Sequence, residues 1–140
     1  MTRSPVFTAL NRFLHPRTLS PHLTPVDRDF LEQFEEIVEN HAGEQKFTTA
    51  NAATKIGMSR MHLNRRLRAL TGKSTHDCIL ERRLEVAHTL LTQPLPVTFV
   101  AQTVGFRSQS HFAKAFRKKF GITPSAFRTE QMRGRQFSLQ

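Results

Sequence analysis

The chain has 140 residues, a formal net charge of +10 and a pI of about 11.3. That length suits one compact domain or two very small ones, and so basic a balance favours a polyanionic partner. A single cysteine, Cys78, excludes an internal disulfide and fits a reducing, cytoplasmic compartment, while no apolar run approaches the roughly 18 residues a membrane span needs.

The charge is unevenly placed. Residues 1–46 hold 5 Lys+Arg against 7 Asp+Glu, residues 47–140 hold 16 against 4, and no acid lies between Val86 and Thr129. Residues 1–24 contain Pro5, Pro16 and Pro21 and read as a linker, with a short amphipathic turn at Val6, Phe7, Leu10, Phe13 and Leu14. Arg3, Arg12 and Arg17 without acids make a transit peptide the weaker alternative.

The first helix opens at Thr24-Pro25, where a capping residue precedes a proline suited to the first turn. Phe30, Phe34, Ile37 and Val38 make its apolar stripe, and Gly43 is placed to end it. Thr48 or Thr49 then caps a short helix that stops near Gly57. Ser59 caps a second, which Gly72 stops. Two helices around a glycine-bearing turn, over 48–72, have the form of a helix-turn-helix.

Ser74 caps a longer helix over 75–91 with Ile79, Leu84, Ala87, Leu90 and Leu91 as its apolar positions, and Pro94 and Pro96 interrupt. Over 97–121 the pattern returns. Val97, Val100, Ala101 and Val104 follow the i, i+3, i+4, i+7 rule, Gly105 breaks the helix, Ser108 caps the next, and Gly121 ends it. Ala53-x-x-x-Gly57 and Ala101-x-x-x-Gly105 stand 48 residues apart, so the unit is duplicated. Thr123-Pro124 opens a last short helix, and residues 131–140 read as a basic tail.

The second helix of each unit divides its faces alike. At about 100° per residue, Leu63, Leu67 and Leu70 oppose Met61, Arg65 and Arg68, and Phe112, Phe116 and Phe120 oppose Ser110, Lys114 and Arg117. His111 and Lys118 flank the second set, and Arg107 lies in the turn before it. A solvated face ordinarily mixes signs, and these do not. A basic helix turned outward by its greasy side can lie in the DNA major groove, with flanking cations on phosphates.

Val97 to Arg128, VTFVAQTVGFRSQSHFAKAFRKKFGITPSAFR, resembles the C-terminal signature of the AraC/XylS family of bacterial transcription regulators, through Ala101, Gly105-Phe106, Ser108, Phe112, Phe116, Gly121, Pro124 and Arg128. The first unit is similar through Ala53, Gly57, Ser59, Leu63, Arg65, Leu67 and Thr71-Gly72, and the resemblance covers residues 25–130. It implies an all-α, homeodomain-like fold of about seven helices, with two helix-turn-helix subdomains joined by the helix at 75–91. It also implies double-stranded promoter DNA as partner, read in successive major-groove segments, activation or sometimes repression by contact with RNA polymerase, and room for an upstream sensor or signalling domain in a longer parent chain. Family base-reading positions carry over to Arg60, Met61, Asn64 and Arg65, and to Gln109, Ser110, His111 and Lys114. Ala52 stands where the family has Leu or Ile, and Thr75 where Pro is common.

Arg65 is the foremost candidate for a base, with phosphate as its alternative. Asn64 pairs with adenine or is solvated, and Met61 touches a thymine methyl or packs on Arg65. Gln109 caps or reaches a base. Lys114 meets phosphate rather than a base, as Arg68, Arg107, Arg117 and Lys118 do. Lys119 falls toward the Phe side and is expected to snorkel to solvent. His76-x-Cys78 lacks a second ligand pair, so no metal or other cofactor is expected. Catalytic patterns are absent and no enzyme is expected. A non-specific nucleic-acid-binding protein and a polymerase-interaction module remain as alternatives.

Overall fold

The computed structural model describes residues 23–138, with side chains to Gly134, so the turn expected at Val6–Leu14 lies outside the described residues. Among the described residues seven α-helices follow one another and no strand occurs.

Helix α1, Pro25–His41, starts where the Thr24 hydroxyl accepts the Asp27 amide at 3.1 Å, and it buries Phe30, Leu31, Phe34 and Val38. It ends at His41 with Ala42 still right-handed, so Gly43 is not the stop that composition suggests. The His41 ring instead stacks on Phe47, centroids 5.6 Å apart, and Nδ1 pairs with Glu44 at 3.0 Å. Side chains therefore turn the chain there, and no left-handed residue is needed.

Helices α2 (Thr49–Ile56) and α3 (Arg60–Thr71) form the first unit. Thr48 and Asn51 cap α2 reciprocally, Ser59 caps α3 through the His62 amide at 3.1 Å, and Leu63 and Leu67 are wholly buried. Helices α5 (Val97–Thr103) and α6 (Gln109–Phe120) form the second, where Ser108 caps the His111 amide at 3.2 Å and Phe112 and Phe116 are wholly buried. The duplication extends to single bonds. The Met58 amide donates to Ala53 O at 2.9 Å, and 48 residues later the Phe106 amide donates to Ala101 O at 2.9 Å.

Helix α4 (Thr75–Leu90) lies between the units and packs against α2, α3, α5 and α6. A helix that must face two partners buries residues on several sides: Ile79, Leu84, Val86 and Ala87 are all in the core. Its arginines tie down the rest. Arg82 forms a buried ion pair with Glu39 of α1, and its Nη1 lies 3.4 Å from Glu85. Arg83 sends Nε to Ala42 O at 2.7 Å and Nη2 to Glu44 O at 3.1 Å and Phe47 O at 3.2 Å, holding the 42–47 loop by its carbonyls. That loop also touches the second unit, where Gln45 Nε2 donates to Phe106 O at 3.3 Å.

Helix α7, Pro124–Ser138, is capped by Thr123, whose Oγ1 accepts the Ala126 amide at 3.2 Å. It is longer than the sequence pattern indicates, because residues 131–138, expected as a tail, continue the helix through Gly134.

Candidate nucleic-acid interface

The residues singled out from sequence fall on the outward sides of α3 and α6. Arg60, Met61, Arg65 and Arg68 are exposed on α3, and Gln109, Ser110, His111, Lys114, Arg117 and Lys118 are exposed on α6. Arg107 is exposed in the turn ahead of α6. Met61 stands out in chemistry: 73% of it is exposed, an unusual position for a large apolar side chain on a basic face. The inward sides, Leu63 and Leu67 on α3 and Phe112 and Phe116 on α6, are each sealed in the core, and burial of each side chain contributes about 1.5–3 kcal/mol. The faces therefore cannot rotate inward without losing that burial.

Two of these side chains are engaged within the fold. Asn64 is half-buried, and its Oδ1 accepts the Thr75 amide at 3.0 Å, joining α3 to the start of α4. The bond needs only a backbone N–H at residue 75, which a proline there would lack. His111 lays its ring edge-on to Phe106 at 5.4 Å, so one side of the imidazole rests on the core while the residue remains exposed.

Several cations counted in the basic stretch point elsewhere. Arg66 sits 4.0 Å over the Phe30 ring with Nη2 3.4 Å from Asp27, fastening α3 to α1. Lys73 pairs with Glu81, and Lys119 reaches the same carboxylate at 3.3 Å. Lys119 thus bridges α6 to α4 instead of extending into solvent as its helical angle suggests. Burial lowers the pKa of the Arg83 guanidinium, which is committed to loop carbonyls. Arg66, Lys73, Arg82, Arg83 and Lys119 are accordingly structural, whereas Arg60, Arg65, Arg68, Lys114, Arg117 and Lys118 on the two outward faces stay exposed. Sequence reasoning missed this sorting. The signal was non-local, since Arg82 and Arg83 meet partners some 40 positions upstream.

No group of three or more His, Cys, Asp or Glu among the described residues could hold a metal ion. Cys78 lies 3.9 Å from the Thr71 hydroxyl, and burial pushes its thiol pKa up. No helix among the described residues is long and apolar enough to cross a membrane.

Two capped helices held on a common third helix, each with a buried apolar side and an exposed basic side, define a double helix-turn-helix DNA-binding module. A family model described as a helix-turn-helix domain matches residues 52–130. Transcriptional activator NphR of a Rhodococcus species is 33% identical over 104 residues, covering 74% of this chain and 31% of NphR. Histidine kinase P4 of Formosa agariphila is 32% identical over 114 residues, covering 76% of this chain and 8% of the kinase. The DNA-binding domain of AdpA, solved in complex with a target DNA, matches with a TM-score of 0.69 at 31% identity, over 76% of this chain and 96% of that one. The chain belongs to the AraC/XylS family, and it spans less than a third of either of those two longer relatives.

Proposed function

We propose that this chain is the output module of a sequence-specific transcriptional regulator that binds double-stranded promoter DNA through α3 and α6 and acts as an activator. The observation that carries this is the paired exposure of Met61, Arg65 and Arg68 on α3 and of Ser110, Lys114 and Arg117 on α6, two helices anchored to one linker. AdpA, at 31% identity, was solved with its target DNA, which supports the same use of this module. Arg65 reads a base, guanine being the commonest partner of arginine, and Arg107, Lys114, Arg117 and Lys118 meet phosphates. Met61 contacts a thymine methyl. RNA polymerase is the partner that turns binding into activation. A sensor or signalling domain elsewhere in a longer protein supplies the control, as the match within a histidine kinase suggests.

Selection from random duplexes tests this reading. Enrichment of one motif is expected, with affinity falling steeply as salt rises. Lys118→Ala then weakens all sequences alike and flattens the salt slope by about one, whereas Arg65→Ala costs about 1–3 kcal/mol and relaxes the preference at one position. Enrichment of no motif would mean a packaging protein, and an unchanged Arg65→Ala would remove α3 as a reading helix.

A further inference from the structure

Met61 is 73% exposed, whereas Met58 and Met132 are partly covered by the fold. An apolar side chain of that size contributes little to the fold by standing in water, yet this one stands near the head of α3 on its outward face. Arg65 and Arg68 follow it at about one and two helical turns, and Arg60 precedes it. Helix α3 contains no acidic residue, so the charges it places around the thioether are all positive. The open cleft that Met61 borders with Arg60 and His76 has no acidic side chain in its lining either, among the described residues.

The cysteine sulfur is shielded by comparison. Cys78 is half-buried on α4, its Sγ lies 3.9 Å from the Thr71 hydroxyl, and burial pushes its thiol pKa up. A thiol reacts through its thiolate, which burial makes scarce. A thioether has no proton to lose, so access governs its reactivity. Met58 packs against the core and is screened in the same way. Geometry therefore ranks the sulfurs, and an oxidant arriving from solution at α3 meets Met61 first.

We infer that Met61 is a reversible oxidation site on the reading face, taking one oxygen atom from an anionic oxidant such as hypochlorite and releasing the duplex when it does. The inference rests on the duplex-binding function proposed above, in which this side chain meets a thymine methyl. The step is an oxygen-atom transfer. An S–O bond forms at Sδ as the O–Cl bond breaks, sulfur gives up two electrons, and chloride leaves. The product sulfoxide is polar. Against a thymine methyl it must shed water with no hydrogen bond in return, which weakens binding while the buried side of α3, Leu63 and Leu67, is untouched. Methionine sulfoxide is reduced enzymatically, so the change can be undone. The arginines of this face draw a phosphate backbone, and in the free protein the same field draws a small anion.

Limited hypochlorite treatment of the free protein, followed by peptide mass spectrometry, ranks the sulfurs. An added oxygen on Met61 is expected ahead of Met58, Met132 and Cys78. Affinity of the treated protein for the selected duplex should fall roughly tenfold with an unchanged urea midpoint, and methionine sulfoxide reductases for both epimers should restore it. Duplex bound beforehand should protect Met61; equal oxidation with and without duplex would remove Met61 from the interface and refute the release. Variants are then compared with themselves, treated against untreated. Cys78→Ala should lose affinity as the parent does, whereas Met61→Leu, with no sulfur at that position, should lose less than about twofold whatever its starting affinity. An equal loss in Met61→Leu would put the sensitive atom elsewhere and overturn the site, as would oxidation of Cys78, Met58 or Met132 ahead of Met61. Complete Met61 sulfoxide with unchanged affinity would refute the release while leaving duplex binding intact. An untreated parent that selects no duplex would sink the regulator reading and the release together.

Discussion

Replacing Gly105 by alanine should be far more damaging than any other glycine substitution in the molecule's turns. Gly105 adopts φ +100°, and a Cβ built there would lie 2.5 Å from Ala42 O and 2.9 Å from Arg83 Nε. The first contact is with backbone and the second with a guanidinium already bonded to that same carbonyl at 2.7 Å, so neither neighbour can yield alone. Backbone strain for a non-glycine residue at such a φ costs about 1–3 kcal/mol, and loss of a charge-assisted bond to Ala42 adds about 1.5–3 kcal/mol. The expected total is about 2.5–6 kcal/mol, a large share of the roughly 5–15 kcal/mol that keeps a small domain folded. Gly121 supplies the control: its φ is +79° and nothing lies within 4 Å of where a methyl would sit, so Gly121→Ala should cost only the left-handed strain of about 1–2 kcal/mol. The chain has no Trp or Tyr, so urea unfolding is followed by far-ultraviolet circular dichroism. If both alanine variants unfolded within about 0.5 kcal/mol of each other, the tight junction of the 42–47 loop, Arg83 and Gly105 would not exist as described.

Other outcomes follow from the charged interior. Arg82→Ala leaves Glu39 buried without its cation and should destabilise by about 3–5 kcal/mol in the same urea assay, whereas Lys118→Ala should change stability by less than about 0.5 kcal/mol. His88 packs among Phe116, Phe120 and Phe127, with the nearest centroid 4.4 Å away, and burial lowers its pKa below the usual 6.5. The unfolded chain then binds the proton more readily than the folded one. This contribution is complete above pH 6.5 and is lost as pH falls toward the depressed folded value. Urea midpoints measured between pH 7.5 and about 5 should fall for the parent protein and fall less for His88→Phe.

Local chemistry was legible in the sequence. Ser59, Ser74 and Ser108 cap the helices that follow them, and Gly57, Gly72, Gly105 and Gly121 take positive φ at the ends of theirs, because a cap and a left-handed turn depend on residues within four positions. The division of faces on α3 and α6 was legible for the same reason, being fixed by helical angle. What was not legible depended on distant partners. Arg82 and Arg83 read as two more charges until Glu39 and the carbonyls of the 42–47 loop are brought to them. Asn64 read as a base-pairing or solvated amide, and the bond its oxygen accepts from the Thr75 amide was not legible. Lys119 read as a snorkelling side chain until Glu81 lies beneath it. Helix α7 outran its expected end because Gly134 weakens a helix by only about 1 kcal/mol relative to alanine, which neighbouring turns absorb.

The bonds that Arg83 and Gln45 make across the 42–47 loop have a bearing on what kind of operator the module tolerates. A protein whose halves were loosely strung could follow half-sites that drift in phase; this one grips α4 and the second turn through the same short loop. One base pair added between half-sites rotates the distal one by about 34–36° around the duplex axis, since a full turn takes about 10–10.5 base pairs. A clamped pair of readers meets that rotation by bending the duplex or by letting go of one half, so its promoters should show little variation in spacer length.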